Sequence, residues 1–244
     1  MTDSEHSDET SIESAEGLAP PPPPPAPGAA APAAPPAPPA EARSIAELGR
    51  ASQIAVAITS LISLGFAYVL WDRSNVLKDI RDGVNVTFDD VNAADDRVSL
   101  LAGLWLLGFL VTGIIFIVWF HRAYTNLANR GQTKHSTGWA IGAWFVPFLN
   151  FWRPAKMTQE LLDNGEGEGS APTNVLWGWW ILFIVGGLLG RGFTSNDTVD
   201  TAITSDTMGA VSALMTAGAG ALLVLLTAQI VTTQAARAAA PPTS

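Results

Sequence analysis

No cysteine occurs anywhere in the chain, which excludes disulfides, thiolate metal sites and cysteine nucleophiles together. Histidine is nearly as scarce, and His6, His121 and His135 are too few and too scattered to compose a metal centre. Charged residues make up 14% of the chain against 48% hydrophobic ones. There is no HExxH, no GxSxG, no phosphate-binding loop and no paired His and Asp within an apolar run. Catalysis therefore has no foothold, and the chain reads as non-enzymatic and without a cofactor. A formal charge of −9 gives nucleic acid no footing either. A cleavable signal is also missing, because MTDSEHSDETSIESAEG has neither a basic start nor an apolar stretch. The first membrane span has to direct insertion.

What charge there is sits in blocks between apolar runs. Eight carboxylates fall in the first 50 residues and seven more between Asp72 and Asp96, so the net charge describes a tail and a loop. Four apolar stretches stand out, at about 51–71, 99–120, 175–190 and 208–231. At about 1.5 Å per residue each crosses, or nearly crosses, a hydrocarbon core of about 30 Å. The third is short, so Trp177, Trp179 and Trp180 are expected to mark one interface while Arg191 snorkels at the other. A further apolar run, 138–152, holds Pro147, which removes a backbone hydrogen bond inside it. With the helical RPAKMTQELL that follows, it reads as a Pro-broken re-entrant or interfacial segment over 138–162 that does not cross.

The expected fold class is thus all-α integral membrane: four transmembrane helices plus the broken segment, within a helical domain over 44–235. Ser44 and Glu47 fit a capping box at its start. Between the first two spans, 72–99 reads as an acidic linker with a turn at Asp82 and Gly83. Its DDVNAADD lacks the glycine and the bidentate glutamate of a calcium loop and reads as solvated. Residues 1–43 form an acidic, Pro-rich tail expected to be disordered, as is the short tail 236–244. Twelve of the seventeen prolines lie in 20–39, a run that extends to roughly 60 Å at about 3.1 Å per residue. A stiff spacer is the first reading of that run, and a docking segment for a protein partner the second.

Lysine and arginine placement sets the orientation. If 138–162 does not cross, Arg43, Arg50, Arg122, Arg130, Lys134, Arg153, Lys156 and Arg237 share one side, against Arg73, Lys78, Arg81, Arg97 and Arg191 on the other. That majority places both termini in the cytoplasm and the protein in the cell membrane, with the lipid bilayer as its one certain partner. The fourth apolar stretch carries Gly209, Ala213, Ala217 and Ala221 four apart, and the third Gly186 and Gly190, which allows close helix approach. Packing of these two spans on each other ranks above self-association of two chains.

One block is unlike an ordinary span. From Trp119 to Leu162 the sequence sets Arg122, Asn126, Asn150 and Arg153 against a Trp- and Pro-studded apolar run. Arg122-x-x-x-Asn126, then GWAIGAWFVPFLNFWRP at 138–154 and a helical MTQEL, resembles the bacterial multi-pass membrane family known as domain of unknown function 4328. Carried over position by position, the family's characteristic residues fall on Arg122, Asn126, Gly138, Trp139, Trp144, Pro147, Asn150 and Pro154. The resemblance implies an integral membrane protein and supplies no reaction.

Arg122 and Asn126 lie four apart and share a helix face. Their plainer reading is an interfacial arginine and a helix-ending asparagine. In the sharper one they meet Asn150 and the carbonyls freed by Pro147 in a polar pocket, as in transporters built on broken helices. The first function expected is an envelope scaffold or regulator, and the alternative a small transporter or channel component using the 122–154 block.

Overall fold

The computed structural model describes residues 40–163, 173–192 and 197–239. Among them there is no strand, and the helices follow as α1 (Ala40–Arg81), α2 (Phe88–Asn129), α3 (Trp139–Gly142), a 3₁₀ turn at Leu149–Phe151, α4 (Arg153–Asp163), α5 (Thr173–Gly192) and α6 (Val199–Ala239). Each of α1, α2, α5 and α6 contains one of the four expected apolar stretches and is long and apolar enough to cross a membrane. The protein is an all-α integral membrane protein with four spanning helices and a broken segment between the second and the third. The Pro-rich head up to residue 39, the glycine-rich connector 164–172 and residues 240–244 lie outside the described residues.

Several boundaries differ from the sequence reading. Helix α1 begins at Ala40, so Ser44 lies inside it and does not cap it. At the far end α6 continues to Ala239, beyond 236. The acidic linker is helical on both sides of a turn at 82–87. There Asp82 N–H donates to Lys78 O at 2.8 Å and Val84 N–H to Asp79 O at 2.9 Å, while Gly83 takes the left-handed φ of +78°. Thr87 and Asp90 then form a capping box that starts α2. The linker's charges do not repel it into coil because they pair across helices: Arg73 binds Asp95 and Asp206, and Arg97 donates to Asp72 at 2.8 Å.

Helices α1, α2 and α6 run to about 60 Å each at 1.5 Å per residue, twice the hydrocarbon thickness, so they project beyond it. They pack as an antiparallel row in the order α2, α1, α6, α5. Between α1 and α2, Thr59 and Thr112 share a hydrogen bond of 2.8 Å and Trp105 Nε1–H donates to Ser63 Oγ at 3.0 Å. A methyl group added at Gly209 would meet Leu70, and one at Gly220 would meet Ser60 and Val56, so the small residues of α6 mainly admit α1. The glycines of α5 meet α6 instead, Gly186 against Met215 and Gly190 against Ser212. The spacing had suggested one α5–α6 seam; α6 in fact serves both neighbours. Leu61 and Leu64 of α1 and Leu104, Leu107, Leu110 and Ile114 of α2 are exposed, an apolar surface suited to lipid.

Along the helix axes the bundle has a terminal end and a hairpin end. Both α1's start and α6's finish lie at the terminal end, and the α1–α2 turn lies at the hairpin end. What closes the gap between α2 and α5 is the broken segment.

Candidate functional site

The broken segment begins with the single turn of α3 and ends its first half at Val146, whose N–H donates to Gly142 O at 3.1 Å. Pro147 then cannot continue a helix. The chain reverses over Phe148, at φ 63° and ψ −48°, with Leu149 N–H donating to Pro147 O at 2.8 Å. This is a γ-turn of the rare positive-φ kind, and a bulky residue at its centre stores strain of about 1–3 kcal/mol. Beyond the turn Asn150 N–H donates to Val146 O at 3.1 Å, Phe151 N–H to Phe148 O at 3.0 Å, and Trp152 N–H to Leu149 O at 3.2 Å. Phe151 O accepts Trp180 Nε1–H at 2.7 Å, which ties the tip to α5. Pro154 is buried in the first turn of α4, where its missing N–H costs nothing. Phe148→Gly is expected to raise the thermal midpoint in detergent, because the exposed phenyl ring contributes little and the glycine relieves the turn. A lowered midpoint would show that the turn is not strained.

Aromatic rings hold the segment in place. Trp144 meets Phe116 and Phe120 of α2 edge-on, at 5.4 and 5.8 Å between centroids, and Trp180 and Phe183 of α5 at 6.0 and 6.5 Å. Such edge-to-face pairs add about 0.5–1.5 kcal/mol beyond the area they bury. Trp139 lies under the Arg153 guanidinium, 4.7 Å from the ring centroid. Toward the terminal end, Glu160 of α4 gathers three groups: Tyr124 O–H donates to its Oε2 at 2.6 Å, Lys134 N–H to the same oxygen at 3.1 Å, and His135 Nδ1 shares a hydrogen bond of 2.9 Å with its Oε1. The loop between α2 and α3 is thereby fastened to α4.

The eight family-like residues do not converge. Arg122 is exposed and Asn126 half-buried on α2, and neither side chain hydrogen-bonds to another described residue. Around the break Val146 O, Pro147 O, Phe148 O and Leu149 O accept from the segment's own N–H groups and Phe151 O accepts from Trp180, and none of these bonds comes from Arg122 or Asn126. Gly138 is exposed, and a methyl group on it would touch nothing. Trp139, Trp144, Pro147 and Pro154 shape or seat the segment. Asn150 and Trp144 line a cavity, and the Asn150 Oδ1 and Trp144 Nε1 are buried and unpartnered.

Two cavities of about 410 and 280 Å³ lie between α2 and α5 on the hairpin side of Trp144 and share Phe109, Asn150, Phe183 and Arg191 in their walls. They form one cleft, left open because α2 and α5 are the two ends of the row. Arg191 therefore does not simply reach away from the bundle as its snorkelling position suggested. Its Nη1–H points back to Gly187 O, at a long 3.4 Å.

Sequence reasoning missed Glu160, Trp180 and the Arg73 cluster. Glu160 and Arg73 bind residues 25 and 133 positions away, which no local pattern reports. Trp180 was read as an interface marker, yet it and Trp179 are buried and only Trp177 is exposed. The spacing of Leu176, Trp180 and Phe183, four and three apart, is the helical-face signal that was present. Among the described residues no group of three or more His, Asp or Glu is placed to hold a metal ion.

Residues 82–232, more than half of the chain, match the sequence profile of the family described as Domain of unknown function (DUF4328). No curated protein and no solved structure matches the chain. The chain belongs to the DUF4328 family, and the matched region takes in α2, the broken segment, α5 and most of α6 while leaving α1 outside.

Proposed function

We propose that this member of the family is a non-enzymatic scaffold or regulator of the cell envelope, seated in the cell membrane with both termini cytoplasmic. The observation that carries this reading is the state of Glu160. It is the carboxylate of the family-like block best placed for acid–base work, and both its oxygens are already engaged by Tyr124, Lys134 and His135. Its neighbours are spent in the same way, Arg153 on Trp139 and Trp180 on Phe151. The groups around Glu160, which bind one another, make a rigid platform rather than a reactive centre. The platform lies at the terminal end, where α1 starts, and the Pro-rich head precedes α1 in the chain. On this reading the Pro-rich head is the segment that reaches a protein partner on the cytoplasmic side.

Crosslinking in native membranes tests this, with the full chain compared to a chain lacking residues 2–40. The full chain is expected to capture a protein partner and the shortened one to lose it. Membrane yield of the shortened chain should stay unchanged, because the head's composition cannot contribute to a core. Collapse of inserted protein on deletion would contradict the tether role. The cleft with Asn150 and Arg191 favours a second reading, a small transporter component. Solute flux in proteoliposomes that disappears in Asn150→Leu would select it over the scaffold.

A further inference from the structure

We propose that the cleft between α2 and α5 binds an anionic phospholipid from the leaflet at the hairpin end, with its phosphate on Arg191 and its glycerol region on Asn150. Helix α5 has 20 residues, about 30 Å, and so spans the hydrocarbon core with nothing to spare. Arg191 is its last residue but one and stands at headgroup depth. Among the described residues its guanidinium meets no carboxylate, and its one hydrogen bond is the long contact to Gly187 O. Four of its five N–H donors are thus unspent on a side chain that lines the cleft, in the planar fork that takes a phosphate by two parallel bonds. Acids at the hairpin end are paired elsewhere, Asp72, Asp95 and Asp206 with Arg97 and Arg73, and Asp200 lies 3.9 Å from Arg81.

Deeper in the same cleft the Asn150 Oδ1 is buried without a partner. An amide left so at membrane depth is costly unless an occupant supplies a donor, or accepts from its NH₂ if the amide is turned over. The glycerol hydroxyls and ester carbonyls of a phospholipid offer both. The walls between the two polar points are Phe109 and Phe183, and the rim carries the exposed Leu106 and Leu188. An apolar rim opens sideways to acyl chains rather than to water. Phosphate above, ester below and apolar walls between follow the order of groups along a phospholipid, and that order distinguishes this occupant from a free anion or a peptide.

The test uses the full chain in nanodiscs of phosphatidylcholine with or without phosphatidylglycerol, reading retained lipid by native mass spectrometry and the thermal midpoint. Wild type is expected to retain phosphatidylglycerol about tenfold over phosphatidylcholine and to melt higher in its presence, the scale of one charge-assisted contact. Arg191→Gln should reduce retention to the phosphatidylcholine level, whereas Arg122→Gln, at the other end, should not. If Arg191→Gln fails to fold, Leu188→Trp decides, because it narrows the mouth while keeping the charge and should lose the lipid equally. Undiminished retention in Leu188→Trp or in folded Arg191→Gln would overturn the proposal. So would equal retention of both lipids by wild type, or the same stabilisation from inorganic phosphate alone.

Discussion

Arg73→Leu is expected to cost about 3–5 kcal/mol of stability, because it leaves a buried carboxylate without its counter-charge. Asp206 is only 4% exposed, and Arg73 Nη1–H reaches both its oxygens, at 2.8 and 2.9 Å, while Nε–H reaches Asp95. One guanidinium thus joins α1, α2 and α6 at the hairpin end. The double variant Arg73→Leu with Asp206→Leu should recover most of the loss, since it removes the charge as well as its partner. Arg97→Leu should cost at most about 1 kcal/mol, because the Arg97–Asp72 pair is largely solvated. Chemical denaturation in detergent measures all three. Equal losses for Arg73→Leu and Arg97→Leu would mean that the buried pair does not hold the three helices together.

That pair also shows where sequence reading stops. The four spans were legible because each is a long apolar run, and the break was legible because Pro147 cannot sit inside a helix. The linker 72–99 was read as an acidic connection with a turn, and its DDVNAADD as a solvated loop. Its helicity depends on Arg73 and Arg97, which meet Asp95, Asp206 and Asp72 only after the helices have folded against one another. Charge composition carries no information about such partners.

Trp144→Ala is expected to have the second large effect, about 3–5 kcal/mol, through the cavity left when a large aromatic is truncated. Trp144 is the ring that touches both α2 and α5, so its loss detaches the broken segment from both walls. Trp71→Ala, at an exposed position on α1, should change stability by about 0.5 kcal/mol or less. Matching thermal midpoints for these two variants would refute the wedge role of Trp144.

The candidate site was legible in its residues and not in their roles. The pattern from Arg122 to Pro154 marked the block, yet in the fold its tryptophans and prolines shape and seat the segment while Arg122 stays exposed. Asn150 became informative only with Arg191, which is 41 positions away and reaches the same cleft. Arg191 had an ordinary explanation at the end of a span, and nothing local in the sequence points it at the tip of another segment.

Segment 138–162 enters between α2 and α5, and a broken segment of this kind returns to the side from which it came. Ser136 and Lys156 flank its break and are exposed, and a chain without native cysteine allows a single cysteine at either place. A membrane-impermeant thiol reagent applied from one side of oriented membranes measures the outcome, with a cysteine at Arg130 as reference. Ser136→Cys and Lys156→Cys are expected to be labelled from the same side as Arg130→Cys. Labelling of Ser136→Cys and Lys156→Cys from opposite sides would show that the segment crosses, and would contradict the account.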